Sequence, residues 1–385
     1  MTVKTISALR WGIAVFLVWL GSITYASPIE YSMQLPKAST SLLLDIAAAG
    51  ERLVAVGERG HILYSEDGGE SWTQAEVPTT AMLTRVFFYD DKLGWAAGHD
   101  GNVMHSHDGG VHWELQRDGV AEQVQINEER AGRAVQRVKD LGAELAAAAE
   151  EDREVLEEAL GEAEWVMDNA RETLDAPIYA PPLMDIWFAT PEQGWASGAY
   201  GVLLHTSNGG RDWADWSYKV DNPDELHLNS VAGGPGGELY LASEWGTVYT
   251  SANNGESWAP VESGYDGSFF GVIANPDTGA VFAYGLLGTV YRSVDKGESW
   301  EELDSGVQAS LFGAAFSPDG ALVFVGQGGT ATRTDNDGLS FTPLIQPQRQ
   351  GLYGVAPDSE GGFMVTGQGG SKPLVEGATG GQADE

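Results

Sequence analysis

The sequence predicts an all-β protein, a seven-bladed β-propeller of four-stranded blades with an α-helical hairpin inserted between blades 2 and 3. Two observations carry the propeller. An eight-residue turn recurs six times, and the stretches between its copies repeat the same short apolar runs with a period of about 40 residues, the length of a four-stranded blade. A third observation carries the hairpin: residues 117–176 break the period with a stretch of helical composition.

The turn reads SEDGGESW (Ser65–Trp72), then SHDGGVHW, TSNGGRDW, SANNGESW, SVDKGESW and TDNDGLSF, closing on Trp113, Trp213, Trp258, Trp300 and Phe341. Its third position is Asp67, Asp108, Asn208, Asn253, Asp295 and Asn336. A side-chain oxygen there accepts hydrogen bonds from nearby backbone N–H groups, and glycine at the fourth or fifth position supplies a positive φ. Asparagine replaces the acid in half of the copies, so charge is optional and the turn reads as architecture rather than as a calcium or catalytic site. The closing aromatic is expected to pack between blades.

Each unit opens on an apolar residue: Leu43, Leu83, Leu183, Leu228, Phe269, Leu311 and Leu352. Two residues on stands the series Asp45, Arg85, Asp185, Ser230, Gly271, Gly313 and Gly354. Asp45, Arg85 and Asp185 come from consecutive blades and are expected to face the central channel as a polar cluster, with Arg85 between two carboxylates. The seventh unit lacks a turn and a fourth strand. Ile29–Leu35 has no partner in the first unit, so it is expected to supply the outer strand of blade 7 and remove an open sheet edge.

In residues 117–176, apolar positions Ala134, Val138, Leu141, Leu145 and Ala148, then Ala159, Ala163, Val166 and Ala170, step by three and four. One straight helix of that length would carry the chain roughly 75 Å away from the next blade. The chain must double back near Glu150–Arg153, and Gly142 and Gly161 then fall opposite each other, where they would let the helices approach closely.

Outside this fold, Lys4 and Arg10 precede an apolar run and the small residues ending at Ala26, a signal-peptide pattern over residues 1–26. The expected propeller spans 27–375, with a disordered tail at 376–385. The net charge is −35, and the leader holds two basic residues and no acid, so the remainder is more acidic still. Such a surface repels nucleic acid and anionic lipid. The chain has no cysteine, hence no disulfide, no thiol nucleophile and no acceptor for a lipid anchor. The compartment is expected to be the periplasm, or a thylakoid lumen in a photosynthetic cell, with a monomer that does not insert into the membrane once the leader is cleaved.

The turns match the Asp-box, or bacterial neuraminidase repeat. The longer pattern in GWAAGHDGNVMHSHDGGVHW and GWASGAYGVLLHTSNGGRDW resembles the repeat of photosystem II assembly and stability factors, over about residues 29–375 apart from the insert. That resemblance implies a single-domain seven-bladed propeller that binds newly made reaction-centre protein without catalysis. The family's binding is associated with a basic patch, from which this arginine- and lysine-poor chain departs. The expected partner is therefore a protein of an envelope or membrane complex, a photosystem or exporter subunit.

The partner is expected on the face carrying the G-x-x-G loops between second and third strands, where Arg59, His99, Asp100, Tyr200, Trp245, Leu286 and Leu287 stand at variable positions. The insert is expected to project from the same face. The alternative is a glycoside hydrolase or glycan-binding propeller of sialidase type. An early F/Y-R-I-P motif is absent, arginines are few, and no catalytic residue is assigned. Of the histidines, His105 and His107 alternate along one strand ahead of a turn bearing His112. No carboxylate stands at metal-ligand spacing, so no metal and no cofactor is assigned.

Overall fold

In the computed structural model, which describes residues 30–376, seven antiparallel meanders follow one another along the chain. The expected signal peptide, Ile29 and all but Glu376 of the expected tail lie outside the described residues. Inner strands are Leu43–Ala49, Leu83–Phe88, Leu183–Phe188, Ser230–Gly233, Phe269–Ala274, Leu311–Phe316 and Leu352–Pro357. Six sheets have four strands and the last has three.

Second strands such as Arg52–Gly57, Gly94–Gly98 and Val281–Gly285 are apolar along nearly their whole length because both faces are covered by neighbouring blades. The core therefore lies between sheets, as seven clusters that each span a blade boundary. Trp95 of blade 2 is fully buried against Phe188 of blade 3, ring centroids 3.6 Å apart. The seven opening residues, Leu43 to Leu352, are buried in every blade. Outer strands are only two to four residues long and largely exposed.

The six turns share one hydrogen-bond pattern. The third residue's Oδ1 accepts from the seventh residue's N–H at 2.9–3.0 Å, and the first residue's hydroxyl accepts from the fifth residue's N–H at 2.8–2.9 Å. Asp67 and Asp295 use the second carboxylate oxygen to accept from Ser71 and Ser299, whereas Asn208, Asn253 and Asn336 use the amide to donate to Asp212, Ser257 and Ser340. That reversal of polarity explains why acid and amide interchange. The fifth residue is always glycine because it is pressed on the preceding blade: a Cβ on Gly110 would lie 2.7 Å from Val54.

The chain does not close as the sequence suggested. Glu30–Leu35 forms no strand in blade 7. It runs beside the end of blade 1, with Ser32 N–H donating to Val77 O at 2.9 Å and Leu35 N–H to Gln74 Oε1 at 2.9 Å. The reason is local. Blade 1's outer strand is only Thr73–Gln74, so the residues after it still offer carbonyls to Ser32 and to Gln34. Blade 7 ends at Gly370–Pro373, where Lys372 and Pro373 blunt the edge, and it is held to blade 1 by side-chain packing of Ala356 and Met364 against Leu43, Ile46 and Leu53.

Between blades 2 and 3 the chain forms α1 (Gly119–Ala147), a short turn over Glu150–Asp152, and α2 (Arg153–Asp175). Asp118 caps α1 by accepting from Ala121 N–H at 3.0 Å. The inward stripe is Ala134, Val138, Leu141, Leu145 and Ala148 against Leu156, Ala159, Ala163, Met167 and Ala170. Val166 points to solvent, one place off the expected stripe. Gly142 and Gly161 do not mark a close approach, since a Cβ on either meets nothing within 4 Å; the contact is made by alanine and leucine instead.

Candidate partner-binding face

Second-to-third-strand loops gather at one end of the meanders and the Asp-box turns at the other. In five of the seven loops a side chain stands at the tip in the left-handed backbone region: Arg59 (φ 58°), Asp100 (59°), Tyr200 (56°), Trp245 (54°) and Leu287 (56°). Blades 6 and 7 have Gly328 and Gly369 there. The glycine that follows is enforced by crowding, as at Gly246, where a Cβ would sit 1.9 Å from Tyr265 O. The tip before it is not crowded in this way at Gly328, where a Cβ would meet nothing within 4 Å. Left-handed backbone costs a residue with a Cβ roughly 1–2 kcal/mol, so Tyr, Trp and Leu are held there at a cost that glycine avoids.

The tips of blades 3, 4 and 5 are open to solvent. Tyr200, Trp245 and Leu287 are 52, 68 and 74% exposed, while Leu286 beside them is half-buried. Arg59, His99 and Asp100 on blades 1 and 2 are exposed too. Tyr200 leans on His227 (5.0 Å between rings), which is itself held by Glu244 at 3.0 Å, linking the tips of blades 3 and 4.

Inside the ring of tips lies a funnel that the sequence reading missed. In six blades the residue between the opening apolar residue and the channel position sits at a register shift, a β-bulge: Leu44, Thr84, Met184, Phe270, Phe312 and Tyr353. With Asn229 of blade 4 they line a cavity of about 400 Å³ with Arg85 at its floor. Phe312 lies between Phe270 and Tyr353 at 5.5 and 5.4 Å. The signal was present as one further column of seven residues, one place ahead of the polar one.

Below the funnel, Arg85 Nε lies 2.9 Å from Asp185 Oδ1, and Arg85 Nη1 lies 3.6 Å from Asp45 Oδ1. Each carboxylate also ties two blades together. Asp45 accepts from Val86 N–H at 2.9 Å, and Asp185 from Ser230 Oγ–H at 2.6 Å and Val231 N–H at 3.0 Å. Burial pushes Asp45 up to about 6, and Arg85 only partly offsets it. Arg85 is held above its ordinary value, its burial outweighed by Asp185 and Asp45. Tyr284, unforeseen because it comes from a second strand, fills the space left by Gly271 and is pushed up to about 12 by burial. A second cavity, about 230 Å³, lies on this cluster. Among the described residues, Arg85 is the arginine that lines these two cavities.

The insert is rooted at the loop face, where Gly119 N–H donates to Asn102 Oδ1 at 3.3 Å. It does not simply project from there. Arg130 and Arg133 pair with buried Asp215 on the outer strand of blade 3, Arg133 also covers Tyr218 at 4.6 Å, and Ile126 enters the core between blades 2 and 3. The charged pair fastens the first half of α1 to the blade's edge. Among the described residues, one group has metal-ligand geometry: His105, His107 and Glu114, on blade 2.

Fold and face together define an Asp-box propeller with a broad loop face tipped by aromatic and apolar side chains. The chain belongs to the family described as photosynthesis system II assembly factor YCF48, whose model matches residues 27–118 and 151–383. The residues left unmatched between these two segments, 119–150, are α1 and the start of the turn after it. A photosystem II assembly lipoprotein Ycf48 from Synechococcus sp. (strain CC9902) is 34% identical over 67 residues, 17% of this chain and 20% of that protein. A solved structure described as YCF48 bound to D1 peptide superposes with a TM-score of 0.59 at 17% identity, covering 91% of this chain and 98% of the other. YCF48 from Cyanidioschyzon merolae superposes with a TM-score of 0.57 at 16% identity, covering 90% and 98%. The chain is thus similar in fold to both.

Proposed function

We propose that this chain is an exported, non-catalytic assembly factor that holds a protein segment of a membrane or envelope complex on its loop face. The carrying observation is that Tyr200, Trp245 and Leu287, on three consecutive blades, are exposed and kept in an unfavourable backbone region. Strain of this kind persists where it serves binding, and large rigid aromatics dominate interface energies. The funnel walled by Phe270, Phe312 and Tyr353 continues the same surface inward and accepts an apolar side chain. Membership of the assembly-factor family and the peptide in the related YCF48 structure support a protein ligand. The acidic balance of this chain favours a neutral or basic segment over an acidic one.

The test is photo-crosslinking and co-purification from envelope extract with wild type, Trp245→Ala, Phe312→Ala and an Asp-box-face control, Glu70→Lys. Loss of the same cross-linked species in Trp245→Ala and Phe312→Ala, with wild type and the control unchanged, is expected. Loss only in the control would place the partner on the opposite face.

A further inference from the structure

We propose that His105, His107 and Glu114 form a binding site for a divalent transition metal of the nitrogen- and oxygen-seeking class, such as Zn²⁺. His105 and His107 stand two apart on the strand Val103–Ser106 and its continuation, so their side chains share one face. Glu114 lies directly opposite His105 across the hairpin, on Glu114–Arg117. The eight-residue turn between them hides this pairing in the sequence.

The distances suit a metal better than they suit a hydrogen bond. Glu114 Oε1 is 3.6 Å from His105 Nδ1 and 3.6 Å from His107 Nε2, and one ligand atom from each of the three residues fits within 4.8 Å. Tetrahedral Zn²⁺ with bonds of about 2.0–2.1 Å sets its ligand atoms about 3.3–3.4 Å apart, within a small side-chain adjustment of this arrangement. The imidazoles stand edge to face with centroids 4.1 Å apart.

An independent observation points the same way. His105 is 5% exposed, stacked on Trp95 at 4.9 Å, and neither ring nitrogen has a hydrogen-bond partner. Buried polar atoms are nearly always satisfied, and a metal on Nδ1 would satisfy one of the two. His107 and Glu114 are mostly exposed, which gives an ion a path in and leaves its fourth position to water. His112 is not part of the group, being held by Asp108 at 2.6 Å inside its Asp-box. The strand carrying Glu114 leads straight into α1, so a bound ion would clamp the strand from which the insert departs.

The experiment is calorimetric titration of the untagged chain with Zn²⁺, and separately the visible spectrum of the Co²⁺-loaded chain. Expected are one ion per chain, the intense d–d bands of a four-coordinate Co²⁺, and at least tenfold weaker binding for His107→Ala and for Glu114→Gln, with His112→Ala unchanged. His107 and Glu114 are surface residues, so both variants should keep the wild-type melting temperature without metal. No binding, binding indifferent to His107→Ala and Glu114→Gln, or binding lost in His112→Ala would each overturn the proposal.

Discussion

Arg130 on α1 and Asp215 on blade 3, 85 residues apart, form a two-pronged pair, Nε to Oδ2 at 3.0 Å and Nη2 to Oδ1 at 3.1 Å. Asp215 is buried, which alone would raise its carboxyl, but Arg130, Ser217 and Arg133 together hold it below the usual range. A carboxylate depressed in this way stabilises the fold above its ordinary range and loses that contribution as pH falls.

The first prediction follows from this pair. Arg130→Ala together with Arg133→Ala should cost about 3 kcal/mol, because it leaves a buried carboxylate with little beyond Ser217 to balance it. Replacing residues 120–174 by a short linker should cost a similar amount, and adding Asp215→Asn to that deletion should restore much of it. Denaturant unfolding at neutral pH measures all three. Equal stability of the deletion with and without Asp215→Asn would show that the pair does not fasten the insert.

The channel carboxylates should behave oppositely on neutralisation. Asp185 is bonded to Arg85, Ser230 and Val231, so Asp185→Asn should cost about 3 kcal/mol or more. Asp45 has its folded pKa raised to about 6, so its favourable contribution is complete below about pH 4 and lost as pH rises through 6. Asp45→Asn retains an acceptor for Val86 and removes that loss. Relative to wild type, the variant should gain on the order of 2–3 kcal/mol between pH 4 and 7. A difference that stays flat across this range would contradict the assignment.

At the Asp-box turns, positions four and five both have positive φ but opposite tolerance. Gly68→Asn should change stability by less than about 0.5 kcal/mol, since a Cβ there meets nothing within 4 Å and Asn254 already holds the same position in another copy. Gly110→Ala should cost more than about 2 kcal/mol, because its Cβ would strike Val54 at 2.7 Å and Phe88 at 3.3 Å. Asp67→Asn should be nearly neutral, for the reason shown by the three asparagine copies. Thermal melts of the three variants give the ranking.

The propeller was legible because a repeated turn and a repeated apolar opening are statements about local backbone and burial, which each unit makes by itself. Family membership followed from the same residues. What escaped involved partners from different levels of the fold. Tyr284 reaches the channel from a second strand, Glu114 meets His105 across a turn, and Asp215 meets Arg130 across the insert. The closing strand was misread because an unpaired N-terminal segment and an incomplete last blade suggest each other, whereas blade 1's two-residue outer strand left carbonyls free nearer by. Residue type alone did not reveal the left-handed tips either, although Gly328 at the equivalent place in blade 6 was the clue.

Those tips give the last prediction, which separates binding from folding. If Trp245 and Leu287 were there for stability, replacing them would destabilise the chain. Both are mostly exposed and both occupy backbone that asparagine adopts more readily. Trp245→Asn and Leu287→Asn should therefore leave unfolding free energy unchanged or raise it by up to about 1 kcal/mol. The same variants should weaken capture of the partner, by about 2 kcal/mol for the tryptophan. Opposite movement of stability and affinity at one residue is the mark of a site selected for binding. A variant that loses stability and keeps its partner would instead make the tips part of the fold.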